Sequence, residues 1–368
     1  MIVEKHIFEL PAYRTVGGRL IKDVRIGWES YGRLNADRSN AILVAHYFSG
    51  TSHAAGRYTK DDVYPGYWDA LIGPGKAIDT ERYFVVSSDT LANLNARDPR
   101  VVTTGPASLD PATGRPYGLS FPLLTIHDFV AVQKVLVEHL GIRKLHAVMG
   151  PSMGGLQTLA WAATYPDMMD RVVPVVCTGE MDAWLIAWLG LWAAPIMADP
   201  AWKAGAYALD AQPMAGLTLA LKLVSLQANH WQWADTQFGR GFADDHAAPA
   251  DALENIYKAE AANAALAAAR ARIADANHLL YLVKANQTFA AGATGTLADL
   301  ENIRAKTLFL YSPTDQVFRA DKARASAAAI AKGGATVEMA EIHGPFGHAN
   351  GLFAMAPLGA RIADFLAR

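Results

Sequence analysis

The stretch LHAVMGPSMGGLQTLAWAATYP, residues 145–166, decides the fold. Its first six residues have the length and apolar character of a buried strand, and GGLQTLAWAATY has those of a helix that ends at Pro166. Between them stands GPSMG, residues 150–154, a Gly-x-Ser-x-Gly pattern at a strand-to-helix turn. This context predicts a sharp turn that exposes the Ser152 hydroxyl as a nucleophile, beside helix amides that stabilise negative charge. The alternative is a glycine-rich turn with an incidental serine.

Short apolar runs of strand length recur along the chain, with helical patterns between several of them. These runs are AILVAH (41–46), YFVVSS (83–88), LHAVMG (145–150), RVVPVVC (171–177), TLFLYS (307–312) and TVEMAEI (336–342). The helical pattern over residues 125–141 carries one apolar stripe, formed by Phe129, Val132, Leu136 and Leu140. Strands that alternate with helices predict a mostly parallel sheet covered by helices on both faces.

The alternation of strands and helices stops near Gly179, and the strand pattern returns at Thr307. The residues between these points are rich in alanine and tryptophan and have helical patterns only. We therefore expect an α/β core formed by residues 1–178 and 301–368. Residues 179–300 are expected to form a helical insertion carried by that core.

One run in this insertion, residues 181–198, is apolar enough to raise the question of a membrane span. Crossing a bilayer takes roughly 17–25 residues. Asp182 and Pro195 shorten the uninterrupted part of the run. A buried helix or a pocket lid is the interpretation that fits it better.

The composition argues against several classes of partner. The 368 residues include 33 basic and 35 acidic side chains, a formal net charge of -2, so there is no basic surplus to hold nucleic acid or an anionic membrane. The single cysteine, Cys177, cannot form an internal disulfide, which fits a reducing compartment. Residues 1–15 mix acids and bases where an export signal would have an apolar core. We expect a cytoplasmic protein.

A serine nucleophile needs a base, and after such a turn the acid and then the histidine follow the serine along the chain. Asp315 lies just past one predicted strand, and His348 follows another after a flexible loop. His343 competes with His348, but it is nearer the strand end, where a packed or capping role is more common. Asp321 competes with Asp315, but it falls within a helical pattern and suits a solvated or first-turn charge.

The developing oxyanion needs two backbone donors. One is expected from Met153, after the nucleophile, and the other from the segment HYFSGTSH, residues 46–53, after an early strand. Phe48 is the preferred second donor and Tyr47 the neighbouring choice. The two histidines of this segment have no carboxylate or third histidine at ligand spacing, so we expect no metal site.

Several longer segments are distinctive enough to indicate a family. They are HYFSGTSHAAG (46–56), GYWDALIGPGKAIDTERYFVVSSD (66–89), TTGPASLDPATGRPYGLSFPLLTIHD (103–128), GPSMGG (150–155), DPAWKAGAY (199–207), TDQVF (314–318) and GHANGL (347–352). Together they resemble the homoserine O-acetyltransferase family of α/β-hydrolase fold proteins over most of the chain. The resemblance implies a mostly parallel sheet flanked by helices, an inserted helical lid, an acyl-enzyme mechanism and frequent homodimers. Ser152, Asp315 and His348 match the family's Ser-His-Asp triad.

The sequence departs from the acetyltransferases where they bind their amino-acid substrate. In that family a lid helix carries an asparagine and an arginine that binds the homoserine carboxylate, and an aspartate after the catalytic histidine holds the amino group. The corresponding positions here are Leu189, Ala193 and Ala349. With Trp188 and Trp192 beside them, these residues predict an apolar pocket that cannot hold a zwitterion. The alternative is that the tryptophans only pack the lid or a dimer interface.

We therefore expect a serine carboxylester hydrolase that acts on small acetate-type esters, with water as the acyl acceptor and no cofactor. The resembled family includes hydrolases that cleave ethyl acetate and other short acyl esters. The first alternative is a homoserine O-acetyltransferase that uses acetyl-CoA and a rearranged receptor. The second is a non-catalytic binding module, whose usual mark would be the loss of a triad residue.

Overall fold

The strands are given for the residues that the computed structural model describes, 1–208, 210–292 and 294–368. They are β1 (His6–Arg14), β2 (Leu20–Tyr31), β3 (Ala41–Ala45), β4 (Ile72–Gly73), β5 (Ile78–Asp79), β6 (Phe84–Ser88), β7 (Leu145–Pro151), β8 (Met169–Val175), β9 (Lys306–Tyr311) and β10 (Val337–Glu341). Eight of them form one sheet in the order β1-β2-β6-β3-β7-β8-β9-β10, and β4 pairs only with β5. From β6 to β10 all neighbours are parallel, which confirms the predicted mostly parallel sheet.

Helices cover this sheet. The α-helices are α1 (Ile126–His139), α2 (Met153–Thr164), α3 (Ala183–Ala198), α4 (Met214–Ala228), α5 (Trp231–Phe238), α6 (Lys258–Ala271), α7 (Ala276–Gln287), α8 (Ala320–Lys332), α9 (Asn350–Phe353) and α10 (Gly359–Ala367). Short 3-10 helices span Gly118–Ser120, Pro200–Gly205, Leu297–Asn302, Gly347–Ala349 and Ala356–Leu358. None of the helices in the described part of the chain is long and apolar enough to cross a membrane.

The apolar runs form strands because both of their faces are buried. All five residues of β3 and all five of β6 are buried, as expected for central strands between two layers of helices. Helix α1 begins with a capping box, in which Thr125 and Asp128 bond each other's backbone N–H. It buries Phe129, Val132 and Leu136 of the predicted stripe, while Leu140 follows its last residue and is partly buried. The antiparallel pair β1 and β2 was not predicted, because these strands alternate buried with exposed residues instead of forming apolar runs.

The chain between β8 and β9 is helical, with α3 packed against α4 and α7, and α4 against α6. In the described residues no strand of the sheet falls between 179 and 300, which fits the predicted insertion. The division of the chain into core and lid stays a prediction.

The sheet positions three loops at one edge. Parallel strands present their carboxyl ends on the same side, where open α/β sheets bind ligands. Strand β7 ends at Pro151, immediately before Ser152, while Asp315 follows β9 and His348 follows β10. The three candidate side chains therefore meet although nearly 200 residues separate the first from the last.

Candidate active site

The turn at Ser152 has a strained backbone. Ser152 has φ 59° and ψ -120°, in a region that residues with a Cβ rarely occupy. Glycines on both sides allow this turn, because a Cβ at Gly150 would lie 2.3 Å from the carbonyl oxygen of Ala45, and one at Gly154 only 2.1 Å from the same atom. The end of β3 thus packs directly against the backbone of the turn, and the Gly-x-Ser-x-Gly spacing follows from that contact.

Ser152, His348 and Asp315 form a hydrogen-bonded chain. The His348 Nε2 lies 2.8 Å from the Ser152 Oγ, and its Nδ1 lies 2.8 Å from the Asp315 Oδ2. The Asp315 side chain is fully buried and its Oδ1 accepts hydrogen bonds from the backbone N–H groups of Val317 and Phe318. The carboxylate is therefore fixed in place, and it orients the imidazole toward the serine hydroxyl.

The competing residues lie elsewhere. Asp321 is in the first turn of α8, exposed, and paired with the Arg319 guanidinium, a hydrogen bond that lowers the Asp321 pKa from 3.8 to about 2. The His343 side chain is 76% exposed and its Nε2 is 3.3 Å from the Glu341 carboxylate. Neither contacts Ser152, so the geometry favours Asp315 and His348 as the members of the triad.

The candidate oxyanion donors are the backbone N–H of Met153 and one from the loop after β3. Met153 is the first residue of α2, so its N–H has no carbonyl one turn earlier in the helix to bond. Phe48 follows β3, and it lines the same cavity as Ser152. This arrangement can hold an oxyanion between the two loops. Tyr47 lines the cavity too, so the choice between Phe48 and Tyr47 stays open.

A cavity of about 340 Å³ opens in front of the Ser152 hydroxyl. Most of its wall is apolar, and it includes three of the residues predicted to form the pocket, which are Leu189, Trp192 and Ala349. Leu189 and Trp192 come from α3 and are almost fully buried. The volume lies at the low end of small-molecule sites, which fits a small substrate.

Two predicted pocket residues do not line this cavity. Ala193 faces a separate cavity of about 670 Å³, together with Met197 and Lys284. Trp188 packs edge-on against Trp184, with ring centroids 6.2 Å apart, outside both cavities. The prediction was wrong for both because the inward face of α3 is set by its buried residues, Leu185, Leu189, Trp192 and Ile196, and residues 188 and 193 flank that face on opposite sides.

One functional candidate was missed by the sequence analysis. Arg270, on α6, lines the cavity in front of Ser152. It stands in the alanine-rich run AALAAARAR, residues 264–272, where two arginines among alanines have the pattern of a solvated helix face. The expectation of a pocket with only apolar walls is therefore wrong in this respect, since a guanidinium is supplied from elsewhere in the chain.

The counterpart to that cation is missing from the cavity wall. Among the described residues that line it there is no aspartate and no glutamate. The residue after His348, where the acetyltransferases carry an aspartate, is Ala349, and it lines the cavity as predicted. In the described part of the chain, no group of three or more His, Cys, Asp or Glu side chains could hold a metal ion. The site therefore combines a serine hydroxyl hydrogen-bonded to a histidine with a mostly apolar wall and one cation.

Comparisons with known proteins place this geometry in context. The protein family described as the alpha/beta hydrolase fold matches residues 64–348 of this chain. A homoserine O-acetyltransferase of Methanococcus vannielii is 37% identical over 366 residues, which are 99% of this chain and 73% of that protein. The structure of esterase E22 superposes with a TM-score of 0.95 at 45% identity, over 99% of this chain and 100% of that chain. A homoserine O-acetyltransferase from Bacillus anthracis superposes with a TM-score of 0.94 at 36% identity, over 100% of this chain and 98% of that chain.

Proposed function

The chain belongs to the homoserine O-acetyltransferase family of α/β-hydrolase fold proteins, and from this premise we propose that it hydrolyses short-chain carboxylic esters. Ser152, His348 and Asp315 are the catalytic residues in this proposal. The observation that carries it is the cavity that faces Ser152, which is small and mostly apolar. Among the residues that the structure describes, none of those lining it supplies a carboxylate to hold an amino group. Water is then the acyl acceptor.

In the first half of the reaction the Ser152 Oγ attacks the ester carbonyl carbon, and the His348 Nε2 takes the hydroxyl proton. Their separation of 2.8 Å in the free protein is within the range for direct proton transfer. The carbonyl oxygen gains the negative charge and is held by the N–H groups of Met153 and Phe48. The C–O bond to the alcohol then breaks, His348 gives its proton to the departing alkoxide, and an acyl-Ser152 ester remains.

In the second half a water molecule takes the place of the alcohol. His348 removes one of its protons, and the oxygen attacks the acyl carbon through a second oxyanion in the same position. The bond to the Ser152 Oγ breaks, the serine recovers its proton from His348, and the carboxylic acid leaves. Asp315 stays ionised throughout and stabilises the imidazolium form of His348 in each half-reaction.

Two observations support hydrolysis over transfer to an amino acid. Homoserine carries an ammonium group, and burying it against Ala349 and the apolar wall would leave that charge without a partner, at a cost of several kcal/mol. The chain is also 45% identical to esterase E22 over almost its whole length.

The second candidate is a homoserine O-acetyltransferase. It is favoured by the 37% identity to the Methanococcus vannielii acetyltransferase and by the Arg270 guanidinium in the cavity wall. An arginine can bind the carboxylate of an amino acid. The same triad and the same acyl-enzyme would serve this reaction, with the homoserine hydroxyl in place of water.

A direct competition separates the two functions. The protein is incubated with acetyl-CoA and homoserine in one reaction and with a short aryl acetate in water in another, with Ser152→Ala as the control in both. We expect rapid release of the aryl alcohol, little O-acetylhomoserine and no turnover by the Ser152→Ala protein. Formation of O-acetylhomoserine at a rate above ester hydrolysis would make the transferase the better assignment. Labelling of Ser152 by a covalent serine probe checks that the nucleophile is reactive.

A further inference from the structure

Arg270 is the only lysine or arginine among the described residues that line the cavity before Ser152. It projects from the last turn of α6, one turn after Leu266, which lines the same cavity and is half-exposed at its edge. The guanidinium is therefore set further from solvent than Leu266, on a helix face directed at the substrate space.

The neighbours of Arg270 hold its side chain in position but do not neutralise its positive charge. Its Nη1 donates to the Ser225 Oγ at 3.2 Å, and its Nη2 donates to the Ser49 Oγ. Both acceptors are neutral hydroxyls, and in the described residues no carboxylate forms an ion pair with this guanidinium. A guanidinium has five N–H donors, so these two bonds leave others for a ligand.

The positive charge of Arg270 favours binding of an anion in this part of the cavity. Burial lowers the pKa of Arg270, and the nearby Tyr47 phenol partly offsets that effect. The guanidinium nevertheless stays protonated, because its ordinary pKa is far above neutral. A buried cation without a counter-ion is unfavourable until a ligand supplies the opposite charge. An apolar wall beside it strengthens the attraction, since the local dielectric constant is low.

The geometry points to an anionic substrate: Arg270 binds the carboxylate of a short ester while Ser152 attacks the ester carbonyl. This inference rests on the proposed ester hydrolysis and names its substrate class. It selects an anion and not a zwitterion, because the described residues of the cavity wall supply a cation for the carboxylate and no acid for an ammonium group. A carboxylate on the acyl part and one on the alcohol part have the same chemistry, so the experiment tests both.

Two pairs of esters provide the test. The first pair places the carboxylate on the acyl part. It is an aryl monoester of succinic acid and the same compound with its free carboxyl group converted to a methyl ester. The second is the acetate of a four-carbon hydroxy acid beside the acetate of that acid's methyl ester, which places it on the alcohol part. For each compound kcat/KM is measured with the wild-type protein, Arg270→Gln and Arg270→Lys. Arg272→Gln is the matched control, since this exposed arginine follows α6 and its loss changes the net charge equally.

We expect the wild type to prefer the carboxylate member of one pair by about 10- to 100-fold, the range of a charge-assisted hydrogen bond. Arg270→Gln should lower kcat/KM for that member far more than for its neutral partner, Arg270→Lys should keep part of the preference, and Arg272→Gln should keep all of it. Hydrolysis without a preference in either pair, or an equal loss on both members in Arg270→Gln, would overturn the inference and leave the esterase assignment intact. In the second case Arg270 would act by holding Ser49 next to Phe48. No hydrolysis of any of the four esters by the wild type would overturn the proposed function, and this inference with it.

Discussion

The indole of Trp192 packs edge-on against the phenyl ring of Phe48, with ring centroids 5.3 Å apart and ring planes at 71°. This contact joins α3 to the loop after β3 that carries a candidate oxyanion donor. Aromatic pairs of this kind add about 0.5–1.5 kcal/mol beyond the burial of their surface. Helix α3 therefore contributes to the position of the loop as well as to the cavity wall.

Truncation of Trp192 should reduce both stability and activity. Its side chain is almost fully buried, and removing a buried aromatic ring costs about 3–5 kcal/mol in unfolding free energy. The Phe48 loop would also lose its support, so we expect Trp192→Ala to lower kcat/KM on short esters. Chemical denaturation and ester kinetics measure the two effects.

Trp192→Phe is the matched control, because it keeps an aromatic ring against Phe48 and removes the indole Nε1, which has no hydrogen-bond partner in the described structure. We expect it to cost far less than Trp192→Ala in both measurements. Equal losses in the two variants would mean that the indole N–H, and not the ring contact with Phe48, is what the protein requires at this position.

Asp315→Asn should leave the fold intact and reduce turnover strongly. The amide can donate to the His348 Nδ1 and so favour the wrong tautomer of the imidazole, and it cannot stabilise the imidazolium form. We expect kcat to fall by roughly 10³–10⁴-fold on a short ester. Asp321→Asn is the control, and its kcat should match that of the wild type, since Asp321 pairs with Arg319 at the surface. A large loss in Asp321→Asn and none in Asp315→Asn would reverse the assignment of the acid.

Gly154→Ala should disturb the turn at Ser152. The added Cβ would lie 2.1 Å from the carbonyl oxygen of Ala45, which is backbone and cannot move aside without shifting β3. Forcing atoms into a packed site costs about 1–3 kcal/mol, so we expect a lower melting temperature together with a loss of ester hydrolysis. Gly17→Ala is the control, because its nearest neighbour would be at 3.8 Å. A Gly154→Ala protein with wild-type kinetics would contradict the link between this close approach and the position of the serine.

Much of the core could be predicted from the sequence, because central parallel strands bury both faces and so form continuous apolar runs. The predicted run 83–88 became Phe84–Ser88, and 307–312 became Lys306–Tyr311. Strands β1 and β2 were not predicted. One face of each strand meets solvent and carries charged residues, which interrupt the apolar pattern.

The pocket was harder to predict than the triad for a physical reason. Every side chain of α3 between Ala183 and Ala198 is nonpolar, so the sequence does not reveal which face is turned inward. Packing against α4 and α7 fixes that face, and it turns Ala193 away from the serine. Arg270 was not predicted because α6 is rich in alanine and its sequence does not show which face packs inward. The tertiary position of α6 brings the Arg270 side chain to the cavity wall.

A buried charge network beneath the loop after β3 supports a final prediction. Glu29, on β2, is fully buried and lies 3.0 Å from the Lys5 Nζ and 3.0 Å from the His53 Nδ1, and it accepts a hydrogen bond of 2.6 Å from the Tyr58 hydroxyl. Burial alone would raise the pKa of Glu29, but the His53 hydrogen bond, the Lys5 charge and the Tyr58 hydrogen bond outweigh it and lower the pKa from 4.5 to about 2. The ionised carboxylate thus stabilises the folded protein.

This network should make stability depend on pH in acid. Because the folded pKa of Glu29 lies below the unfolded one, its contribution is fully present above about pH 5 and is lost as the pH falls from 4.5 toward 2. We expect the difference in unfolding free energy between the wild type and Glu29→Gln to shrink by roughly 2 kcal/mol between pH 6 and pH 3. Denaturant titrations at each pH measure it, with Glu9→Gln as the control, because Glu9 pairs with Arg25 at the exposed edge of the sheet. A difference that stays constant over this pH range would show that the ionisation of Glu29 does not couple to folding.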